Sequence, residues 1–528
     1  MVSFWHRPRH HQHGDDDAQG DDREAQDHEP QDERTRLLPR QTSPYLRPDD
    51  PAVSPYNLWS IRALRALSSG FLAITFVWWT FLLVSLFVSA PATHTRGSGF
   101  FAFAYTTLTL GYLVFGLLFF AVPSKPMTIW GLVLALFLFI DMCVTVSVPR
   151  IRVEEGWVGI ATVVWATLIA IYNIVQNRSV AWGKREEEER LTGREETRRS
   201  LREWFAVFTE TLFMAVIAII SILFMATLIL RARDATLPAP GGKYYVSARN
   251  YQVHLACVGE HVNETTSGET TPPPTLILEA GEGPAEHTLQ PFIDELYQKG
   301  AIARYCYWDR PGFGWSDNAP SPFSAGMAAD SLSEALALAG EEGPWVLVSA
   351  GIGGIYSRIF ASRHLLEVQG IFLIDSTHEN YLDEVASSGH GFALWIRGIL
   401  SPLGIDRILG AVFRGRTRED RVFGRSAYQT GKFIRAKLQE NLVAASMTAS
   451  EISAARHVQM PDTALTVISS DEEVRKSKKW AKCQEDLTMI TRNLKNWDIV
   501  ENAPHEVWRT VEGRQVIEKR LRDMIKGG

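Results

Sequence analysis

Residues 345–364 read WVLVSAGIGGIYSRIFASRH: an apolar run, a tight turn, then a helix-forming stretch. When a strand breaks sharply into a helix through the pattern G-x-S-x-G, the central serine sits at the apex of a strained turn, exposed to attack a carbonyl. Here the five turn positions are Ser349, Ala350, Gly351, Ile352 and Gly353, so the apex is Gly351. Glycine has no side chain with which to attack. It is, however, the residue best suited to the strained backbone of such a turn. The spacing predicts a turn that keeps its geometry and lacks its nucleophile. Ser349 is the nearest hydroxyl, but it lies two residues early, at the strand end, and reaching the apex would require a rebuilt turn.

The elements that must hold this turn begin near residue 241. Short β-like runs alternate with helical stretches from there on, which argues for a doubly wound α/β sheet. Strands are expected at 251–258, 275–278, 303–308, 345–348, 370–374 and 464–468, and helices at 328–339, from 353, and at 515–525. The strand at 303–308 runs into Asp309-Arg310-Pro311-Gly312-Phe313-Gly314-Trp315-Ser316-Asp317, and the one at 370–374 into Asp375-Ser376-Thr377-His378-Glu379. In this order and spacing the segments resemble the α/β-hydrolase family, the first looking like its DRxGxGxSD segment and the second like the strand end after the elbow helix. The resemblance covers roughly residues 244–527 and rests on several motifs in the right order rather than on one.

In this family a serine attacks, a histidine takes its proton, an acid orients the histidine, and two backbone N–H groups stabilise the oxyanion. The resemblance implies His505 as the histidine, because it precedes the last helix. It implies Asp471, after the strand at 464–468, as the acid, with Glu472 or Asp375 as alternatives. The oxyanion donors would be the amides of Ile352 and Glu282. Gly351 stands where the serine belongs. A water activated by His505 is a chemical alternative that forgoes the covalent intermediate. Residues 380–456 read as a helical cap, which in this family covers the pocket; its apolar stretches suit contact with lipid or burial on the sheet. The strands carrying Cys257 and Cys306 are expected to be neighbours, which allows a disulfide in an oxidising compartment. No cofactor and no metal are expected.

The rest of the chain is of a different kind. Residues 1–57 are polar and rich in His, Asp, Arg, Gln and Pro, so they read as a disordered tail. No apolar stretch marks its start as a secretory signal. His6, His10, His11 and His13 lack a second ligand cluster and read as part of this solvated tail. Glu33-Arg34-Thr35-Arg36-Leu37-Leu38 resembles an acidic dileucine signal, which implies cytosolic sorting adaptors as partners through Leu37 and Leu38. Within 58–235, five apolar runs near 66–90, 100–122, 127–148, 157–175 and 205–230 each approach the ~20 residues needed to cross a bilayer. Basic residues concentrate before the first run and in the loop 176–203, which puts the N-terminus and that loop in the cytosol. With an odd number of spans, residues 236–528 lie in a lumen or outside. The sequon Asn263-Glu264-Thr265 suits that side, whereas Asn177-Arg178-Ser179 lies against a span and is expected to stay unmodified. Asp141, in the third run, is expected to bond to another helix. A net charge of -6 and a pI near 6.2 give no sign of nucleic-acid binding.

These readings predict an all-α bundle of about five transmembrane helices, followed by an α/β-hydrolase-like, mostly parallel sheet with a helical cap. The leading functional reading is a lumenal or extracellular domain degenerate in serine catalysis that binds a ligand or partner, an ester- or lipid-like small molecule being the natural class. The alternatives are a working membrane-bound hydrolase of esters or lipids, and a membrane scaffold or transporter-like bundle. The dileucine signal points first to a vacuolar membrane and second to the plasma membrane.

Overall fold

A computed structural model describes residues 54–193, 201–260, 273–458 and 462–526. The dileucine segment, the N-terminal histidines and Asn263 lie outside the described residues.

Among the described residues, five α-helices precede the sheet: α1 (Trp59–Ser85), α2 (Phe100–Leu118), α3 (Lys125–Ser147), α4 (Pro149–Thr192) and α5 (Leu201–Asp234). All five are long and apolar enough to cross a membrane. Several overrun the apolar sequence runs because polar residues continue the helical turns: α4 extends to Thr192, and α5 starts at Leu201. At its other end α4 bends at Gly156, whose φ of 59° only glycine adopts without strain. Ser124 caps α3 by accepting from the Met127 amide at 3.2 Å. Polar side chains join the helices: Trp165 Nε1 donates to Thr75 at 2.9 Å, and Tyr105 donates to Asp141 at 2.7 Å. Asp141 is therefore bonded between helices, as expected. Asn177 donates to Ser124 O and Thr128 within the bundle. Outward-facing residues such as Ile74, Val77, Ile129 and Ile219 are exposed and apolar.

The helix ends sort into two groups. Asn57 bonds Glu187, Lys184 bonds Glu203, and Asn177 reaches the turn before α3. The α1–α2 loop and the start of α4 instead meet at Gly97 N and Glu154 O, and Arg96 O receives Asn318 N from the C-terminal domain.

That domain is built on eight strands, β1 (Gly242–Val246), β2 (Tyr251–Val258), β3 (Thr275–Glu279), β4 (Tyr305–Asp309), β5 (Trp345–Ala350), β6 (Val368–Ile374), β7 (Ala464–Ser470) and β8 (Asn493–Val500). Their order is β1-β2-β4-β3-β5-β6-β7-β8. Only the β1–β2 and β2–β4 pairings are antiparallel. The sheet is the α/β-hydrolase arrangement. β1 and β8 were not singled out in the sequence: β1 is short, and β8 is a polar, largely uncovered edge strand. Cys257 lies directly opposite Cys306 on β2 and β4, and the two form a disulfide.

Helices α6 (Gln290–Gln298), α7 (Ala325–Ala339) and α8 (Gly353–Arg363) follow β3, β4 and β5. The cap contributes α9 (Ser388–Leu400), α10 (Ile405–Phe413), α11 (Gly431–Val443) and α12 (Ala449–His457), and α13 (Lys478–Leu487) and α14 (Val511–Lys526) complete the domain. One sheet face packs Leu332, Ile355 and Ile359 from α7 and α8. The other packs Ile293, Leu296, Ile517 and Leu521 from α6 and α14. Each such side chain contributes about 1.5–3 kcal/mol by leaving water. Part of the cap packs on the bundle: Leu394 and Ile434 share a core with Leu82, Phe100 and Phe103.

Candidate active site

The carboxyl ends of parallel strands gather the loops where ligands bind in open α/β sheets. Gly351 follows β5, Asp375 follows β6, and His505 follows β8. Gly351 has φ 50°, so the chain makes the left-handed turn expected at the apex. Its amide donates to Ile374 O at 3.2 Å, and its carbonyl accepts from Thr377 N at 2.9 Å. Gly353 is needed for a different reason: a Cβ there would lie 2.6 Å from the carbonyl oxygens of Glu279 and Ala280. The turn is thus anchored on both neighbouring strands.

A Cβ at Gly351 would point at His505, ending 3.1 Å from Nε2. It would also stand 3.7 Å from Gly281 Cα, in the loop that carries Glu282. Among the described residues, the amides of Ile352 and Glu282 donate to no protein acceptor. Ile352 also opens α8, where helix amides favour negative charge. The carboxylate of Glu282 bonds Lys437 of the cap at 2.7 Å, and that cation holds its carboxyl below the usual carboxylate range.

The acid beside His505 is Asp375, not Asp471. Asp375 Oδ2 stands 2.6 Å from His505 Nδ1. Its other oxygen accepts from Ser470 N at 3.1 Å and from Trp480 Nε1 at 2.9 Å, and the residue is fully buried. Asp471 begins the helix Asp471–Lys476, accepts from Asn502 N at 3.0 Å and pairs with Arg475 at 2.6 Å. Glu472 pairs with Lys476. Both have the character of first-turn helix acids, stabilised by the helix dipole. Ser349 is fully buried in β5, with its hydroxyl 3.5 Å from Phe372 O, inside the sheet rather than at the turn.

Burial alone would lower the pKa of His505, but the hydrogen bond and charge of Asp375 outweigh it and raise it. The ring is 37% exposed, and among the described residues Nε2 has no hydrogen-bond partner. This is an oriented imidazole with its working nitrogen facing an empty apex. It can hold or take a proton there; no side chain at the apex can form an acyl intermediate. Trp480, Ser470 and Lys437 support the site from different elements and carry no motif that marks them in the sequence. Another histidine–carboxylate cluster, His378 with Glu379 and Asp486, is neutralised by Arg358 and Arg456.

Residues 33–257 match the family model described as a region of unknown function, DUF2417. The match takes in all five helices and runs into β2. The chain is 34% identical to the uncharacterized protein C23C11.06c of Schizosaccharomyces pombe, over 94% of this chain and 97% of that protein. It is 27% identical to the uncharacterized vacuolar membrane protein YNL115C of Saccharomyces cerevisiae, over 62% of this chain and 59% of that one. Among solved structures it is similar to a carboxylesterase from Nitrososphaera gargenis (14% identity, TM-score 0.37, 54% of this chain and 100% of that). It is also similar to the α/β hydrolase MGS-M2 from a deep-sea metagenome (10% identity, TM-score 0.38, 54% and 98%). The chain belongs to the same protein family as C23C11.06c, with a DUF2417 region leading into an α/β-hydrolase-like domain.

Proposed function

We propose that this protein is a multi-span membrane protein whose hydrolase-like domain binds an ester- or lipid-like small molecule without serine catalysis. The observation that carries this reading is the apex: the Cβ direction at Gly351 ends 3.1 Å from His505 Nε2, where a nucleophile's side chain would stand, and the residue is glycine. The naming of YNL115C as a vacuolar membrane protein supports a vacuolar or related endomembrane. In this reading the N-terminus is cytosolic, Leu37 and Leu38 engage sorting adaptors, and the domain with its Asn263 glycan faces the lumen. A second reading draws on the Asp375–His505 pair at 2.6 Å: His505 acts as general base on a water at the apex, and the domain is a slow hydrolase.

Fluorophosphonate labelling of the full chain in detergent tests the first reading; turnover of a p-nitrophenyl ester by the parent separates it from the second. The binding reading predicts no labelling of the parent and labelling of Gly351→Ser. The new side chain must accept φ 50°, a strain of about 1–3 kcal/mol, so Gly351→Ala serves as a folding control. Labelling of the parent, abolished by Ser349→Ala, would overturn the reading. So would a folded Gly351→Ser protein that resists the probe.

A further inference from the structure

A second concave site lies where the bundle meets the cap, away from His505. It is a cavity of about 120 Å³, well above the ~10–15 Å³ that one water requires on this measure. Apolar walls come from α2 and α5, through Phe101, Phe224 and Leu228. Its polar lining holds five cations, Arg150, Arg231, Arg407, Arg421 and Lys432, against two carboxylates, Glu154 and Asp234.

Three of the cations are paired. Arg231 bonds Glu154 at 2.8 Å and Glu155 at 2.6 Å, Arg150 meets Glu154 at 3.2 Å, and Arg421 grips both oxygens of Asp234. The other two are paired less completely. Arg407 is only 6% exposed, yet its Nε has no hydrogen-bond partner, and its ion-pair partner among the described residues, Asp234, stands 3.6 Å away. Lys432 donates to Gly314 O at 2.9 Å and meets no carboxylate among the described ion pairs. A buried guanidinium nitrogen left without a hydrogen bond is costly unless an anion supplies one. Two incompletely paired cations suit a dianionic phosphate better than a single carboxylate, and the guanidinium fork matches phosphate oxygens.

We propose that this seam binds a phosphate-bearing anion, held by Arg407 and Lys432. The cap helix that carries Arg407 indicates the source. On α10 the exposed apolar residues are Ile405, Leu409, Val412 and Phe413, the last two 67% and 79% exposed, with the exposed Asp406 beside them. Their spacing is one helical stripe. A helix with its arginine inward and its apolar stripe outward is arranged for lipid on its outer side, beside the exposed apolar faces of the bundle. A bilayer phospholipid headgroup can enter from there; a free phosphate ester shares the same chemistry. The proposal is independent of what happens at Gly351.

The test uses the full chain in phosphatidylcholine discs, with or without phosphatidic acid, and in phosphatidylcholine discs with added inorganic phosphate or glycerol phosphate. The readout is the melting temperature as a function of anion concentration. Phosphatidic acid is expected to raise it, with half-saturation weakened at least about tenfold in Arg407→Gln and in Lys432→Gln, and unchanged in the exposed control Lys519→Gln. An equal response to glycerol phosphate would support the site and make a free ester its ligand. If Arg407→Gln does not fold, Lys432→Gln decides alone. No response of the parent to any of these anions would overturn the proposal, as would a parent-like response of Lys432→Gln.

Discussion

His254 and His505 each hold an aspartate through Nδ1, at 3.0 Å and 2.6 Å, and the two acids lie at the ends of strands of one sheet, Asp309 on β4 and Asp375 just after β6. The pairs differ at the other nitrogen. His254 Nε2 is 2.6 Å from Pro240 O, so Nε2 donates to that carbonyl while Nδ1 faces the Asp309 carboxylate, an arrangement that favours the imidazolium in the core. Its pKa is raised accordingly: burial opposes the charge, and Asp309 overcomes burial. His505 Nε2 instead faces the vacant apex. The same two residue types make a structural clamp in one place and a pair with an open ring nitrogen in the other. What separates them is whether the second nitrogen is already bonded.

The largest effect is expected at the clamp. Asp309→Ala would strand the buried His254 charge and the Trp315 amide that Asp309 also accepts. A loss of about 3–5 kcal/mol is expected, read as a shift of the denaturation midpoint of the purified chain. A pH series sharpens the difference. Both histidines have raised folded pKa values, so their stabilisation is complete below the unfolded value of about 6.5 and is lost as pH rises through the folded one. Stability should therefore fall on the alkaline side, and His254→Gln should remove more of that slope than His505→Gln. A slope unchanged in His254→Gln would contradict the clamp. The smallest effect belongs to His505→Ala. The ring is partly exposed and Asp375 keeps its Ser470 and Trp480 donors, so a cost of about 1–2 kcal/mol is expected from the same midpoint measurement.

Much of the site was legible because the motifs are local. The turn at Gly351 and the position of His505 follow from strand–turn–helix spacing and chain order. The acid was not, since Asp375 and Asp471 both follow apolar strands. One signal separates them in retrospect: Asp471-Glu472-Glu473 after Ser470 is a capped helix start, and acids are expected there for reasons unrelated to His505. Asp375 also adopts φ 40°, a conformation no sequence pattern announces. The spans were legible as apolar runs, but their ends were not, because α4 and α5 continue into charged residues. The seam cavity was least legible of all. It joins Arg231 to Arg407 and Lys432, which meet only when the cap folds back on the bundle.

The most direct test of the central claim, that the site is complete except for its nucleophile, is hydrolysis of a short p-nitrophenyl ester by the parent, Gly351→Ser and Gly351→Ser/His505→Ala. The account predicts no turnover by the parent, measurable turnover by the single variant, and its loss in the double. Turnover by the parent that disappears in His505→Ala would contradict it, and would identify the domain as a hydrolase that uses water in place of serine.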